Sequence, residues 1–201
     1  MSQSKIRIKS QWFKAGREKT SKEIAGVLSF VIWRIADNAL KNTRDARFEI
    51  TVGPQYFSFL SEFLIFLIQV ADRIAYRQLP PEIRFEFTSE LANRISATLA
   101  ENQSRLVGED FSIHKKNFID QLNQRAGEYA DFDYGIDGPE YAFMRYLAYC
   151  IEQVMDEKDI TWVTDQMISI EAPNAIDMVE KTMRDILTPE SESSQTSANS
   201  N

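Results

Sequence analysis

The chain has 201 residues, of which 43% are hydrophobic and 11% aromatic, and its formal net charge is −7. This apolar content excludes an intrinsically disordered protein, and the length suits one domain with a sizeable core. Only 7 Gly and 6 Pro are present, too few for the turns of an all-β protein of this size, so the composition favours long helices.

The charge is divided unevenly along the chain. Residues 1–22 contain seven Lys or Arg and one Glu, whereas residues 137–201 contain four Lys or Arg and thirteen Asp or Glu. The overall acidity argues against a protein that binds nucleic acid over its whole surface. The basic segment alone could still contact phosphate.

One cysteine, Cys150, is present. It cannot form a disulfide within the chain, and a cysteine-based zinc site is excluded. Residues 1–22 are basic and polar and show no secretory signal, so we expect a cytoplasmic protein.

Residues 1–20 form a predicted basic N-terminal arm in which cationic and apolar side chains alternate. Such a segment could pair with nucleic-acid phosphates and stack on bases, or it could lie on an anionic membrane surface. A solvated or self-docked terminus is the commoner alternative. The candidate partner-binding residues of the arm are Lys5, Arg7, Lys9, Trp12 and Phe13.

Helical periodicity begins at about residue 22 and continues to residue 46. Thr20 or Ser21 is the predicted N-cap, with Glu23 in the first turn. One broad arc of this helix is apolar, but Val27 and Phe30 fall on its polar side, which makes them candidates for contact with a partner or with the arm. Residues 46–53 are predicted to be a loop, with a lone strand as the alternative.

The segment from about 55 to 79 is the most apolar of the chain. Its longest uncharged apolar run, Phe63–Ala71, is far shorter than the roughly 20 residues that a bilayer requires. On a helical wheel, Glu62, Asp72 and Arg73 share a narrow polar stripe, and apolar side chains fill the rest of the circumference. This pattern predicts the central helix of a bundle, with an exposed dimerisation face as the alternative.

Two further helices are expected next. The first begins at Pro81, which suits a first helical position, and ends near Leu106, before Gly108. The second begins after Ser112 as its N-cap. His114, the only histidine, lies in its first turn, where two lysines follow it, and is expected to be solvated. A general base would need a carboxylate partner and a pocket, and the nearby sequence supplies neither.

The acidic segment 128–140 is predicted to be a loop. Its carboxylates alternate as in calcium loops, but Ile136 and Ala142 occupy the positions where an EF-hand needs Gly and Glu. The alternatives are a simple capped loop, contact with a basic segment such as the arm, or a weak cation site. Asp137 is expected to cap the following helix, with Pro139 in its first turn.

That fifth helix carries Cys150, which we expect to be a small buried side chain rather than a nucleophile. A short helix over 160–170 and a final helix over 174–187 are predicted, separated by Pro173. Residues 188–201 contain no large apolar side chain and are expected to form a disordered acidic tail.

The predicted architecture is therefore all-α: an irregular bundle of five to six helices around the central helix at 55–79. One helical domain, residues 21–187, would lie between the arm and the tail. Residues that catalyse reactions or bind metals and cofactors are scarce, whereas aromatic side chains are plentiful enough to fill a core and contribute to an interface. These features favour a non-enzymatic interaction, adaptor or regulatory protein that forms a homodimer. Phe143, Tyr146 and Tyr149 are further candidate contact residues.

Two alternative functions remain. The chain could be an enzyme or small-ligand binder if the polar stripes of its first two long helices face each other, because buried charges would then mark a site. The residues of such a pocket would be Arg34, Asp37, Glu62, Asp72 and Arg73. The other alternative is a nucleic-acid accessory protein that acts through the arm.

Overall fold

The computed structural model describes residues 19–50, 52–108 and 110–187, which form an all-α bundle with almost no strand. The four longer helices are α1 (Ser21–Asp45), α2 (Pro54–Gln78), α3 (Pro81–Val107) and α4 (Phe111–Tyr129). After them come the strands β1 (Tyr134–Gly135) and β2 (Gly138–Pro139), followed by the helices α5 (Tyr141–Glu152), α6 (Ile160–Gln166) and α7 (Ala172–Leu187). The predicted tail and residues 1–18 of the arm lie outside the described residues.

Helix α2 is the centre of the bundle, as its sequence pattern predicts. It packs against α1, α3, α4, α5 and α7, and every residue from Phe59 to Ala71 is buried. An apolar helix covered by neighbours on nearly all sides removes its large side chains from water, which contributes about 1.5–3 kcal/mol for each fully buried Leu, Ile or Phe. The confirmed core position of α2 therefore accounts for its unusual composition.

The capping predictions for α1 and α3 are confirmed. Thr20 and Glu23 form a capping box, in which the Glu23 N–H donates to Thr20 Oγ1 at 3.3 Å and the Thr20 N–H donates to Glu23 Oε2 at 3.0 Å. Pro81 is the first residue of α3, and Gly108 ends that helix at φ +84°, a left-handed conformation that glycine adopts without strain. Local sequence thus determines these ends.

Two other capping predictions are wrong. The N-cap of α4 is Asp110 rather than Ser112, and its Oδ1 accepts the Ser112 N–H at 2.6 Å. Helix α5 begins at Tyr141 rather than around Pro139, because Gly138 and Pro139 pair with β1 in a small hairpin. A carboxylate two residues earlier and a competing strand pairing decide these boundaries.

Pro173 does not interrupt the last helical segment, contrary to the prediction. Helix α6 continues into α7 through a π-helical turn, Met167–Glu171, in which the Ala172 N–H donates to the carbonyl of Met167. Proline cannot donate an N–H and crowds the preceding turn of a regular α-helix. The widened turn lets the chain pass Pro173 without breaking the helix.

Burial also corrects two expectations about side chains. His114 is buried rather than solvated, because α4 packs the face that carries His114, Phe118 and Leu122. Phe143 is fully buried in the core and is therefore not available as a contact residue. Cys150 is buried, as expected.

No helix in the described ranges is long and apolar enough to cross a membrane, which agrees with the short uncharged run in α2.

Candidate functional site

A buried ion pair joins α2 to α4. Glu62 lies on the polar stripe of α2, and its side chain is only 4% exposed. The Arg125 guanidinium donates from Nη2 to Glu62 Oε1 at 2.7 Å and from Nε to Glu62 Oε2 at 3.0 Å. Gln121, one turn earlier on α4, donates to Glu62 Oε1 at 2.8 Å. Both carboxylate oxygens are therefore saturated by α4.

The same arginine extends the network towards α5. Arg125 Nη1 donates to Glu128 Oε2 at 2.9 Å and to the Tyr146 hydroxyl at 3.1 Å. The Tyr146 hydroxyl in turn donates to Glu128 Oε2. Glu62, Gln121, Arg125, Glu128 and Tyr146 are called the charge cluster below. It ties three helices together at one depth of the bundle.

Aromatic side chains form one wall of the charge cluster. The ring of Tyr129 lies 4.7 Å from that of Phe143 and 4.9 Å from that of Tyr146, measured between centroids. Phe66 of α2 packs behind them, 5.7 Å from Phe143. These rings keep water away from one side of the ion pair, so its charges interact in a medium of low dielectric constant.

The electrostatics of the charge cluster follow from this arrangement. Hydrogen bonding to Glu62 raises the pKa of Arg125 far above its ordinary value, so the guanidinium stays charged. Burial alone would raise the pKa of Glu128, but hydrogen bonds from Tyr146, Arg125 and Gln124 hold it below its ordinary value. Burial, followed by the bond to Glu128, raises the pKa of Tyr146.

The charge cluster offers little to a substrate. Its donors and acceptors satisfy one another, and no group of three or more potential metal ligands occurs in the part of the chain that the structure describes. Burial, with a contribution from the charge of Glu62, raises the pKa of Cys150 to about 12, so its thiol stays protonated and unreactive. The arrangement fixes helices rather than activating a nucleophile.

A second ion pair, between Asp72 and Arg84, lies at the other end of the polar stripe on α2. The carboxylate of Asp72 accepts from Arg84 Nε at 2.9 Å and from Thr88 Oγ1 at 2.7 Å, both on α3. The Arg84 guanidinium also lies over the ring of Tyr76, 4.8 Å from its centroid. Hydrogen bonding to Asp72 raises the pKa of Arg84. The stripe is thus covered by α3 here and by α4 at Glu62.

The structure does not bring the five predicted pocket residues into one cluster. Glu62 pairs with α4 and Asp72 with α3, whereas Arg73 donates to the carbonyl of Tyr129 at 2.8 Å. On α1, Asp37 pairs with Lys41 at 2.6 Å, and the Arg34 guanidinium lies 5.8 Å from the ring centroid of Phe30. The stripes of α1 and α2 therefore have separate partners.

The predicted partner-binding residues fall into two groups. Lys5, Arg7, Lys9, Trp12 and Phe13 lie outside the described residues. Phe30 is 63% exposed on α1, while Val27 is partly buried against the core. On α5, Tyr149 is exposed and Tyr146 belongs to the charge cluster. Phe30 and Tyr149 are therefore exposed on the single chain and accessible to a partner.

Sequence reasoning missed the arginines that pair with the polar stripe of α2, which are Arg125 for the buried Glu62 and Arg84 for the partly exposed Asp72. The available signal was Glu62, because a carboxylate next to so many apolar positions needs a cationic partner from another helix. Glu171, in the π-helical turn, was missed too. Its carboxylate is 3% exposed and accepts from Gln166 at 2.8 Å and from Asn42 at 3.2 Å, and burial raises its pKa.

A cluster of exposed apolar side chains lies at the turn between α3 and α4. We call it the apolar tip, and it consists of Leu106, Val107, Phe111 and Ile113. Each is between 43% and 64% exposed, although only a short turn at Gly108 separates the two helices. Single exposed apolar residues are ordinary, but several together mark an interaction surface.

Comparisons with protein-family models, with curated proteins and with solved structures found no match for this chain.

We expect removal of one partner of the buried ion pair to be far more damaging than removal of both. Glu62→Leu removes the buried carboxylate that binds Arg125 Nε and Nη2 and leaves the guanidinium with only the partly exposed Glu128, so it should lower the free energy of unfolding by about 3 kcal/mol, the lower end of the cost of breaking a buried pair. The double variant Glu62→Leu/Arg125→Met should recover most of that loss, because the charge then left without Arg125 is that of Glu128, whose side chain is 37% exposed and can be hydrated. Urea unfolding followed by circular dichroism measures both.

The matched control is Asp120→Asn, which breaks an exposed pair with Lys116 and should change stability by less than about 1 kcal/mol. If the double variant is as unstable as Glu62→Leu, the two side chains do not act as a compensating pair.

Glu171 should make the folded protein less stable as pH rises. Its pKa is raised in the folded state, so its contribution is fully present below the ordinary value of 4.5 and is lost as pH rises through the folded pKa. Glu171→Gln should therefore raise the melting temperature at pH 7, and the gain should shrink as pH falls towards 4.5. The hydrogen bonds can be kept in this variant, because the side-chain amide of Asn42 or Gln166 can rotate so that its oxygen accepts a hydrogen bond from the introduced glutamine.

Differential scanning fluorimetry of wild type and Glu171→Gln between pH 4.5 and 8 tests this expectation. A melting-temperature difference that is the same at every pH would show that the carboxyl group does not titrate differently on folding.

Proposed function

We propose that this chain is a non-enzymatic interaction protein of the cytoplasm that forms a homodimer through its apolar tip. The observation that carries the proposal is a contrast between two kinds of surface. The carboxylates of Glu62 and Asp72 between the helices are paired with arginines, whereas large apolar side chains at the tip are exposed. Exposed apolar surface favours association, because burying it removes it from water. Polar groups that already bind one another have no free hydrogen-bonding capacity for a substrate.

The charges around the tip favour a second copy of the chain as the partner. Both signs occur close to it: Arg105 pairs with Glu101, and Lys116 pairs with Asp120. Asp110 lies within the turn itself. A border of mixed sign suits an isologous interface, where a charge on one copy meets the opposite charge on the other. A membrane surface or a strongly charged partner would be matched better by a border of one sign.

The alternative of an enzyme or ligand binder with a pocket between α1 and α2 receives less support. Such a pocket needs polar groups that converge without satisfying one another, and Glu62 and Asp72 each have partners within the bundle. The alternative of a nucleic-acid accessory protein rests on the arm, whose residues 1–18 lie outside the described residues.

Light scattering coupled to size-exclusion chromatography tests the homodimer. We expect wild-type protein to elute at twice the monomer mass of 23.2 kDa. Leu106→Ser/Phe111→Ser should weaken the dimer at least tenfold, because each lost contact removes about 1.5–3 kcal/mol of apolar burial. At the lowest concentration where the wild type is still a dimer, this variant should therefore elute with a mass close to that of a monomer.

The matched control is Phe30→Ser/Phe85→Ser, which removes two exposed aromatic side chains away from the tip and should leave the mass at that of a dimer. A monomeric wild type contradicts the proposal, and so does a tip variant that remains dimeric. Dissociation of the control alone would place the interface elsewhere.

A further inference from the structure

The hairpin between α4 and α5 presents negative charge that the rest of the described structure leaves unpaired. We call residues 131–140 the acidic hairpin. Four of its side chains are carboxylates, all of them exposed: Asp131, Asp133, Asp137 and Glu140. Within the ranges that the structure describes, none of these four carboxylates forms a hydrogen bond or an ion pair.

Arginines hold this hairpin without neutralising it. Arg73 donates to the carbonyls of Tyr129 at 2.8 Å and Phe132 at 3.4 Å, and Arg77 donates to the carbonyl of Gly135. Both guanidiniums therefore bind backbone oxygens rather than the carboxylates. The loop is fixed in place, and its carboxylates remain available to a cationic partner.

Helix α7 adds negative charge at the base of the hairpin. The Tyr134 hydroxyl donates to Glu180 Oε1 at 3.0 Å. Asp177, one turn before Glu180 on α7, is exposed. Burial and the negative charge of Glu180 raise the pKa of Tyr134. The acidic surface thus continues from the loop onto α7.

Apolar side chains accompany these charges. Ile136 at the turn of the hairpin is 92% exposed, and Tyr141 at the start of α5 is 64% exposed. A partner that places cations beside aromatic or aliphatic side chains matches this combination. A simple metal ion would leave Ile136 and Tyr141 uncovered.

The basic arm joins the described structure close to this surface. Lys19 Nζ donates to the carbonyl of Ile186 at 2.8 Å, which places the root of the arm beside the end of α7. Ile186 follows Glu180 by six residues, or about 9 Å along the helix. The 18 residues that precede Lys19 can span up to ~60 Å when extended, so the hairpin is well within their reach.

We propose that residues 1–18 dock on the acidic hairpin of their own chain. Residues 1–18 supply five cations and only one carboxylate: their basic residues are Lys5, Arg7, Lys9, Lys14 and Arg17. Trp12 and Phe13 stand among them and can cover Ile136 and Tyr141. The occupant therefore matches the surface in both charge and apolar character.

The tether makes this contact effective although each pair is weak. Exposed ion pairs contribute about 0–1 kcal/mol each, but a short tether holds the arm at an effective concentration on the order of millimolar near the hairpin. Docking should weaken with salt, because charges are screened over about 8 Å at physiological ionic strength. An anionic partner would therefore have to displace the hairpin before it could bind the arm.

Zero-length carbodiimide cross-linking of the full chain detects the contact directly, because it joins lysine amines to carboxylates that touch them. We expect mass spectrometry to find Lys5, Lys9 or Lys14 joined to hairpin carboxylates at 50 mM NaCl, and these products to be lost at 0.5 M NaCl. In an equal mixture of unlabelled and ¹⁵N-labelled protein, the linked peptides should come from one chain. Absence of hairpin products, or products of mixed label, would overturn the proposal.

Tryptic cleavage within the arm provides a second test. Neutralising the hairpin should speed cleavage at Arg7 to Arg17 about tenfold if roughly nine-tenths of the arms are docked, because cleavage tracks the undocked population. The neutralised variant is Asp131→Asn/Asp133→Asn/Asp137→Asn/Glu140→Gln. The control removes the same number of exposed charges elsewhere: Glu82→Gln/Glu86→Gln/Asp156→Asn/Glu157→Gln.

The control should be cleaved at the wild-type rate. Equal rates for wild type and the hairpin variant would contradict the proposal. An arm that is cut rapidly in the free protein and is protected only by added single-stranded DNA would contradict it too, and would favour the nucleic-acid function instead.

Discussion

The structure depends on the burial of α2 on nearly all sides. A helix with apolar side chains around most of its circumference is stable in water only when other protein surfaces cover it. Five other helices of the described structure do so. Their arrangement follows from this constraint, since each of these helices packs a buried face against α2. They are α1, α3, α4, α5 and α7.

The polar stripe of α2 explains why covering helices take up particular positions. Glu62 is buried and Asp72 is partly buried, so each carboxylate needs a cation nearby, and Arg125 on α4 and Arg84 on α3 supply these cations separately. Apolar packing alone would tolerate a sliding or rotated helix, whereas a bidentate arginine–carboxylate pair has a defined geometry. We therefore regard these ion pairs as contacts that fix the register of α3 and α4 against α2.

The sequence predicts elements governed by local chemistry and fails where distant residues decide. Periodicity and caps locate α1, α2 and α3 to within about a residue, because Thr20, Pro81 and Gly108 act on their immediate neighbours. Three features depend instead on contacts with other elements. They are the start of α5, the π-helical turn that precedes Pro173, and the burial of His114. Wheels show that Glu62 and Asp72 are polar exceptions but not which arginine each will meet, and the sequence spacing between partners, such as Glu62 and Arg125, carries no periodic signal.

Native-state hydrogen exchange of the α2 amides tests most directly whether this helix is the centre on which the fold depends. If it is, amides between Phe59 and Ala71 should exchange only through global unfolding, with opening free energies equal to the free energy of unfolding measured in denaturant. Exchange of these amides through local openings, while α1 or α7 remains protected, would contradict the account.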